Sequence, residues 1–218
     1  MANDPVEGLR VAVDWYVDVV AERSYAPYRR LPDPGAVAAP LAAIDAALAP
    51  LRLPVEVRWL WEHWDAPSFD VVPPAGLCDP EFALDSWHVN TKELGFPAPL
   101  FPIGYESHRY LAVDLTDPKG RPATVWSYEF GRDAFGRVAP SLEALLRSCV
   151  ERVNVAHLDG QLPEAEDLEL EWYYQRLFHG PAFDTIVDRH FAASGLDRLT
   201  LSGSDHTTWP LPWRALGR

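Results

Sequence analysis

The residues most able to carry out chemistry in this sequence are its histidines and a hydroxyl-rich run near the C-terminus. The seven histidines never occur in the HxH or HExxH spacings that place two imidazoles on one metal ion. The run holds Ser202, Ser204, Asp205 and His206, the residue types of a hydrolase triad, but Ser204 lacks the GxSxG turn that exposes a nucleophile. No glycine-rich phosphate loop occurs either. The sequence therefore predicts no metal site and no cofactor, and we expect a protein that is not an enzyme.

A polar run at residues 105–109 combines an aromatic ring, a carboxylate, a hydroxyl, an imidazole and a guanidinium. It follows Gly104, where the backbone bends easily, and it precedes an apolar stretch with the pattern of a strand. Loop residues next to a rigid element often recognise partners, so Tyr105, Glu106 and His108 are the first candidates for contacts with a partner. The alternative is an ordinary polar loop whose charged groups satisfy one another.

The chain is strongly acidic, with 32 Asp and Glu against 19 Lys and Arg and a formal net charge of −13. This charge opposes phosphate backbones and anionic lipid, so we expect neither a nucleic-acid nor a membrane partner. It favours a basic protein partner, although solubility alone also explains it. We add four acidic residues to the candidate contacts: Asp133, Glu164, Glu166 and Asp167. As an alternative, the last three form the solvated first turn of a helix, where the helix dipole favours acids.

The cysteine content favours a reducing compartment, and the hydropathy pattern favours neither a signal peptide nor a membrane span. Cys78 and Cys149 are too few for a disulfide framework and lie in no zinc spacing. Cys149 falls on the apolar face of a predicted helix, which indicates a core thiol rather than a nucleophile. The N-terminus mixes charged with apolar residues, unlike a signal peptide, and no run of about 18 uncharged apolar residues occurs that would span a bilayer. We therefore expect a cytoplasmic protein.

Helical periodicity dominates the first part of the chain. Asp4 is a plausible N-cap for an amphipathic helix that ends near Ser24, and residues 25–35 read as a proline-rich connector. A second helix is predicted over 37–48 with Pro40 in its first turn, and a third from Pro54. In the third helix Trp61 and Trp64 are expected to face the core, with an interface patch as the alternative. A short helix over 80–93 is predicted to bury Phe82, Leu84 and Trp87.

The pattern then changes to strands and returns to helices. Residues 109–115 and 124–130 are rich in β-branched and aromatic residues, which predicts a pair of antiparallel strands, and a shorter strand is expected over 135–139. Ser141 is the predicted N-cap of a helix that reaches Val153. Further helices are expected around 168–177 and 183–193, and residues 200–218 are predicted to form an irregular tail. Helices, then strands, then helices is the order of an α+β fold.

Three segments occur in a characteristic order: LPVEVRWLW at 53–61, FPIG at 101–104 before the first core strand, and VAPSLEALL at 138–146 after the strand pair. Together they resemble the SUKH superfamily, which includes fungal cell-wall-synthesis regulators and many bacterial immunity proteins. The resemblance covers residues 38–153. It departs from the family at 64–66, where WDA replaces the usual Asn-Gly turn.

The resemblance implies an α+β fold with a curved sheet flanked by helices, acting by binding another protein. We accordingly divide the chain into an N-terminal helix and connector at 1–36, a SUKH-like core at 37–153, and a helical C-terminal extension at 154–218. The function it implies is neutralisation of a toxin, and the acidic charge suits a basic toxin. Two alternatives are open. One is a regulatory interaction scaffold, and the other is a small-molecule-binding protein or enzyme whose cleft near the first core strand uses Glu106, His108 and Asp188 or His190.

Overall fold

A computed structural model describes residues 5–21, 34–63, 76–106, 109–117, 121–129, 134–159, 178 and 180–216. These residues form seven α-helices and one six-stranded sheet. The helices are α1 (Pro5–Tyr16), α2 (Pro34–Leu48), α3 (Val55–His63), α4 (Pro80–Glu93), α5 (Leu142–Leu158), α6 (Pro181–Ser194) and α7 (Leu211–Ala215). The strands are β1 (Gly76–Leu77), β2 (Leu100–Glu106), β3 (Arg109–Asp114), β4 (Val125–Glu129), β5 (Ala134–Ala139) and β6 (Thr200–Ser202). A π-helical turn, Val17–Ala21, continues α1, and a 3₁₀ turn, His206–Thr208, precedes α7.

The sheet is an antiparallel meander in which every strand pairs with the next strand along the chain. The pairing of β2 with β3 runs from Leu100 opposite Asp114 to Glu106 opposite Arg109. The predicted antiparallel pair at 109–115 and 124–130 is confirmed as β3 and β4, and the predicted strand at 135–139 is confirmed as β5. The prediction of an α+β fold with an antiparallel sheet flanked by helices is thereby confirmed.

Helices cover one face of the sheet. The longest of them, α5, begins where predicted, because the Ser141 Oγ accepts a hydrogen bond from the Ala144 N–H at 3.0 Å. Its apolar residues recur every three or four positions and join a core shared with α1, α6 and the sheet. Cys149 lies in this core, and burial raises the pKa of its thiol well above the ordinary value. The prediction of a core thiol at this position is confirmed.

The C-terminal segment, residues 200–216, covers the opposite face. Trp209 and Trp213 are buried and pack on Trp126 and Phe135 of the sheet. The Trp213 Nε1 donates a hydrogen bond to the Asp114 Oδ2 at 2.9 Å. The same segment contributes β6 to the edge of the sheet next to β5. The prediction of an irregular tail over 200–218 is therefore wrong for the residues described, because the two indoles bury a large apolar area against the sheet.

Two expectations about the helices are also wrong in detail. α2 begins at Pro34 rather than at residue 37, so Pro40 lies in its second turn, where it has no N–H to donate to the carbonyl of residue 36. α4 has the predicted bounds, but Phe82 is 41% exposed. Leu84 and Trp87 are half-buried and pack against the core, and the fully buried residues of α4 are Pro80, Ala83, Ser86 and Asn90. Phe82 lies to one side of this buried row because successive residues of a helix turn by about 100°.

Several expectations fall on residues that the structure does not describe. They are the connector as far as residue 33, Trp64, and the helix around 168–177. The divisions of the chain at residues 36 and 153 stay predictions; α2 spans the first and α5 spans the second. In the part of the chain that is described, none of the helices has the length and hydropathy needed to cross a membrane.

The packing of the C-terminal segment can be tested with two tryptophan substitutions. We expect Trp213→Phe to lower the free energy of unfolding by about 2 kcal/mol, because it removes a donor from a buried carboxylate. Trp209→Phe is the matched control, since its indole donates to the main-chain carbonyl of Ser202 at 3.1 Å in a half-buried position, and about 1 kcal/mol is expected. Urea unfolding followed by circular dichroism measures both. Equal losses would contradict a special contribution of the bond to Asp114.

Candidate functional site

The end of the sheet where β2 meets β3 contains the first candidates. β2 ends at Glu106 and β3 begins at Arg109, and these two residues pair. Arg109 also pairs with Glu129 at the end of β4, and Glu129 pairs with Ala134 at the start of β5. The strand register therefore places the ends of four consecutive strands, β2 to β5, side by side at this end of the sheet.

Three aromatic side chains meet at this end. The ring of Tyr105 lies 5.6 Å from that of Phe82 and 4.8 Å from that of Tyr110, measured between centroids. Phe82 and Tyr105 are 41% and 37% exposed, whereas Tyr110 is 8% exposed. We call Phe82, Tyr105 and Tyr110 the aromatic patch. It consists of two accessible rings in contact, one of which, Tyr105, also packs against the buried ring of Tyr110.

Regular elements hold both accessible rings. Tyr105 pairs directly with Tyr110 across β2 and β3, and directly opposed residues place their side chains on the same face of a sheet. Phe82 lies in the first turn of α4, and its N–H donates to the carboxylate of the N-cap residue Asp79 at 2.9 Å. The main-chain position of each ring is thus fixed by a strand pairing or a helix cap rather than by a free loop.

The structure describes only part of the predicted contact set. Tyr105 lies in the aromatic patch, and Glu106 is described by its main chain alone, as the last residue of β2. The other predicted contacts lie outside the described residues: His108, Asp133, Glu164, Glu166 and Asp167. Tyr105 and Glu106 belong to a strand, not to a loop before the first strand, because β2 begins at Leu100 and runs through Pro102 and Gly104. Phe82, which the sequence predicts to be buried, lies on the surface beside Tyr105.

A cleft of about 470 Å³ opens at the other end of β3. One wall is the connection from α2 to α3 and the first residues of α3, and the other is the end of β3 with the residues that follow it. The lining is Pro50, Leu51, Arg52, Leu53, Pro54, Val55, Glu56, Asp114, Leu115, Asp117, Arg121 and Ala123. Sequence analysis did not find this cleft, because its two walls come from segments far apart in the chain.

Three carboxylates of the cleft bind donors of the protein itself. The Glu56 Oε1 accepts the N–H of Ala123 at 3.0 Å, and the Asp117 Oδ2 accepts the N–H of Thr124. The Asp114 Oδ1 accepts both the N–H and the Oγ1–H of Thr116, at 2.9 Å and 2.6 Å. These bonds tie the segment between β3 and β4 to α3 and to the strand ends.

Asp114 also connects the cleft to the C-terminal segment. Its Oδ2 accepts the hydrogen bond from Trp213, and the residue is only 5% exposed. Burial raises the pKa of this carboxyl above its ordinary value, and the hydrogen bonds from Thr116 and Trp213 oppose that shift. The effect of burial is larger than that of the hydrogen bonds, so the ionised form of Asp114 is less favoured in the folded protein than in the unfolded chain.

The other chemistry-bearing residues are engaged in local contacts. The Asp205 Oδ1 accepts the N–H and Oγ1–H of Thr207, which lower the pKa of its carboxyl, and the ring of His206 packs on Trp209 at 4.2 Å. Asp188 accepts a hydrogen bond from Arg198 at 3.2 Å. The His190 Nε2 lies 3.0 Å from a Glu151 oxygen. Within the described ranges, no three His, Cys, Asp or Glu residues are grouped so that they could hold a metal ion.

The raised pKa of Asp114 leads to a pH-dependent prediction. The folded protein binds the proton of the Asp114 carboxyl more tightly than the unfolded chain does. This difference contributes to the free energy of unfolding fully below the pKa of the unfolded chain, and the contribution is lost as the pH rises through the pKa of the folded protein. We expect the free energy of unfolding of the wild type to fall relative to that of Asp114→Asn as the pH rises above the ordinary carboxyl pKa of about 4. Urea unfolding at several pH values measures the difference. A difference that grows in favour of the wild type with rising pH would refute the assignment.

Comparison with known proteins gives no relative. No protein-family model matches the sequence, and no curated protein or solved structure matches it significantly. The resemblance to the SUKH superfamily consequently stays a prediction that rests on the three sequence segments alone.

Proposed function

We propose that this protein is a SUKH-like binding domain that acts in the cytoplasm and neutralises a basic protein toxin by covering it. The observation that carries the proposal is the aromatic patch, in which Phe82 and Tyr105 present adjacent exposed rings at one end of the sheet. The mode of action is direct binding and occlusion of the toxin, without catalysis by this chain.

Exposed aromatic side chains are well suited to anchor a protein interface. An aromatic ring buries a large area while fixing few rotatable bonds, and aromatic residues are enriched among those that dominate binding energy. Phe82 and Tyr105 contact each other, and Tyr105 also packs against buried Tyr110, so the two exposed rings are already held in place before a partner arrives. Ordering them in advance reduces the entropy that association costs.

The net charge of −13 supports a basic partner. Opposite charges accelerate encounter over distances of about a Debye length, which is about 8 Å at physiological salt. Toxins that act on nucleic acid need basic surfaces to bind phosphate, so an acidic inhibitor is complementary to them. The SUKH resemblance independently supports the same kind of partner.

Co-expression tests the function directly. A toxin-like, basic product encoded next to this gene is expressed with and without the protein, and growth and complex formation are measured. We expect growth to be restored and a stoichiometric complex to be recovered by size exclusion. Persistent lethality without any complex would contradict the toxin-neutralising function.

The aromatic patch is tested with Phe82→Ala and Tyr105→Ala in the same complex. Each is expected to raise Kd at least about tenfold, or about 1.4 kcal/mol, since central aromatic anchors typically contribute that much or more. Leu158→Ala is the control, because this leucine is 84% exposed at the end of α5 and is not one of the three residues of the patch. Isothermal titration calorimetry gives Kd, and urea unfolding checks that the variants are folded. Wild-type affinity in both patch variants would place the interface elsewhere.

Electrostatic steering of the partner is tested by varying the salt concentration. We expect the association rate constant to fall by about tenfold or more between about 0.05 M and about 0.5 M NaCl, with a smaller change in the dissociation rate constant. Stopped-flow fluorescence measures the association rate. A rate that does not depend on salt would remove electrostatic steering from the mechanism.

A further inference from the structure

We infer that the cleft between the α2–α3 connection and the end of β3 binds an organic carboxylate, with Arg52 and Arg121 holding the anionic group. We call it the arginine cleft. The inference stands apart from the proposed toxin binding, because the cleft and the aromatic patch lie at opposite ends of β3.

The two arginines of the cleft are exposed, and among the described residues neither has a partner. Neither forms an ion pair or hydrogen bond with any residue in the described part of the chain. Elsewhere in the described ranges, five arginines are paired with nearby carboxylates: Arg10, Arg58, Arg147, Arg189 and Arg198. In a chain with an excess of acids, two unpaired guanidiniums on one concave surface are available to an outside anion. The planar guanidinium binds a carboxylate with two parallel hydrogen bonds.

The carboxylates of the cleft do not occupy these guanidiniums. Glu56, Asp114 and Asp117 are each bound to donors of the protein, so their positions are fixed. The negative charge of Glu56 and Asp117 instead selects among ligands, because it repels a dianion more strongly than a monoanion. A single carboxylate is therefore favoured over a phosphate group.

The remaining lining is apolar and fits an aliphatic body. Leu51 and Leu115 line the cleft together with prolines 50 and 54, and Val55 is 51% exposed at its rim. The volume of about 470 Å³ lies within the range of small-molecule sites. The ligand class is thus a monocarboxylate that carries an apolar group. Two sources supply it, a free carboxylic acid and the C-terminal residue of a peptide.

Three probes separate these sources and test the role of the carboxylate. N-acetyl-leucine mimics the end of a peptide, 4-methylpentanoate is the corresponding free acid, and N-acetyl-leucinamide lacks the charge. We expect N-acetyl-leucine or 4-methylpentanoate to bind with Kd on the order of 1 mM at low salt, and the amide at least about tenfold more weakly. Chemical-shift titration of the ¹⁵N-labelled full chain measures binding and locates it. Binding of N-acetyl-leucine alone identifies a peptide end, and equal binding of both acids identifies the free carboxylate as sufficient.

Charge-matched variants test the arginines. Arg52→Ala and Arg121→Ala are each expected to raise Kd for the bound acid at least about tenfold. Lys92→Ala removes the same charge from an exposed site on α4 outside the cleft and is expected to bind as the wild type does. The inference is overturned if neither acid binds, if the amide binds equally well, or if all three variants bind alike. Phe82→Ala should retain acid binding, so failure here and failure of the toxin-binding proposal are distinguishable.

Discussion

The sheet carries apolar side chains on both faces, and each face needs a layer that removes it from water. β3 has this requirement in its clearest form, since every residue after Arg109 is buried. Leu111 and Val113 belong to the core beneath the helices, whereas Ala112 belongs to the second core, beneath the C-terminal segment. The helices supply the first layer, and Trp209 and Trp213 supply the second. The C-terminal segment is therefore part of the sheet's packing rather than an addition to a finished fold.

Local patterns were sufficient to predict the elements whose signal is local. α5 could be predicted from Ser141 and the apolar period that follows it, and β3 and β4 from their β-branched and aromatic residues. The strand β2 was harder to recognise from the sequence, because Pro102 and Gly104 interrupt its strand pattern. The burial of Trp209 and Trp213 could not be predicted at all. Prolines obscure any period in that segment, and the surface on which the indoles pack exists only once the sheet has formed.

The candidate surfaces show the same division between local and long-range information. Tyr105 could be found from sequence, because a chemically mixed run beside a glycine stands out locally. Phe82 could not, because α4 has a weak apolar period and the side that faces Tyr105 depends on how the helix packs at the sheet edge. Arg52 and Arg121 are ordinary charged residues in sequence. Only the approach of the α2–α3 connection to the end of β3 gives them a shared cleft.

The length of β3 separates these two surfaces physically. The four steps along β3 from Tyr110 to Asp114, at about 3.3 Å each, place roughly 13 Å between the aromatic patch and the arginine cleft. This distance exceeds the Debye length of about 8 Å at physiological salt, so removing a charge from one end has little direct effect at the other. The strand between them is buried and paired on both sides, which leaves little freedom to transmit a local change. The proposed partner binding and the proposed carboxylate binding are consequently expected to be separable, so that a variant that weakens one leaves the other intact.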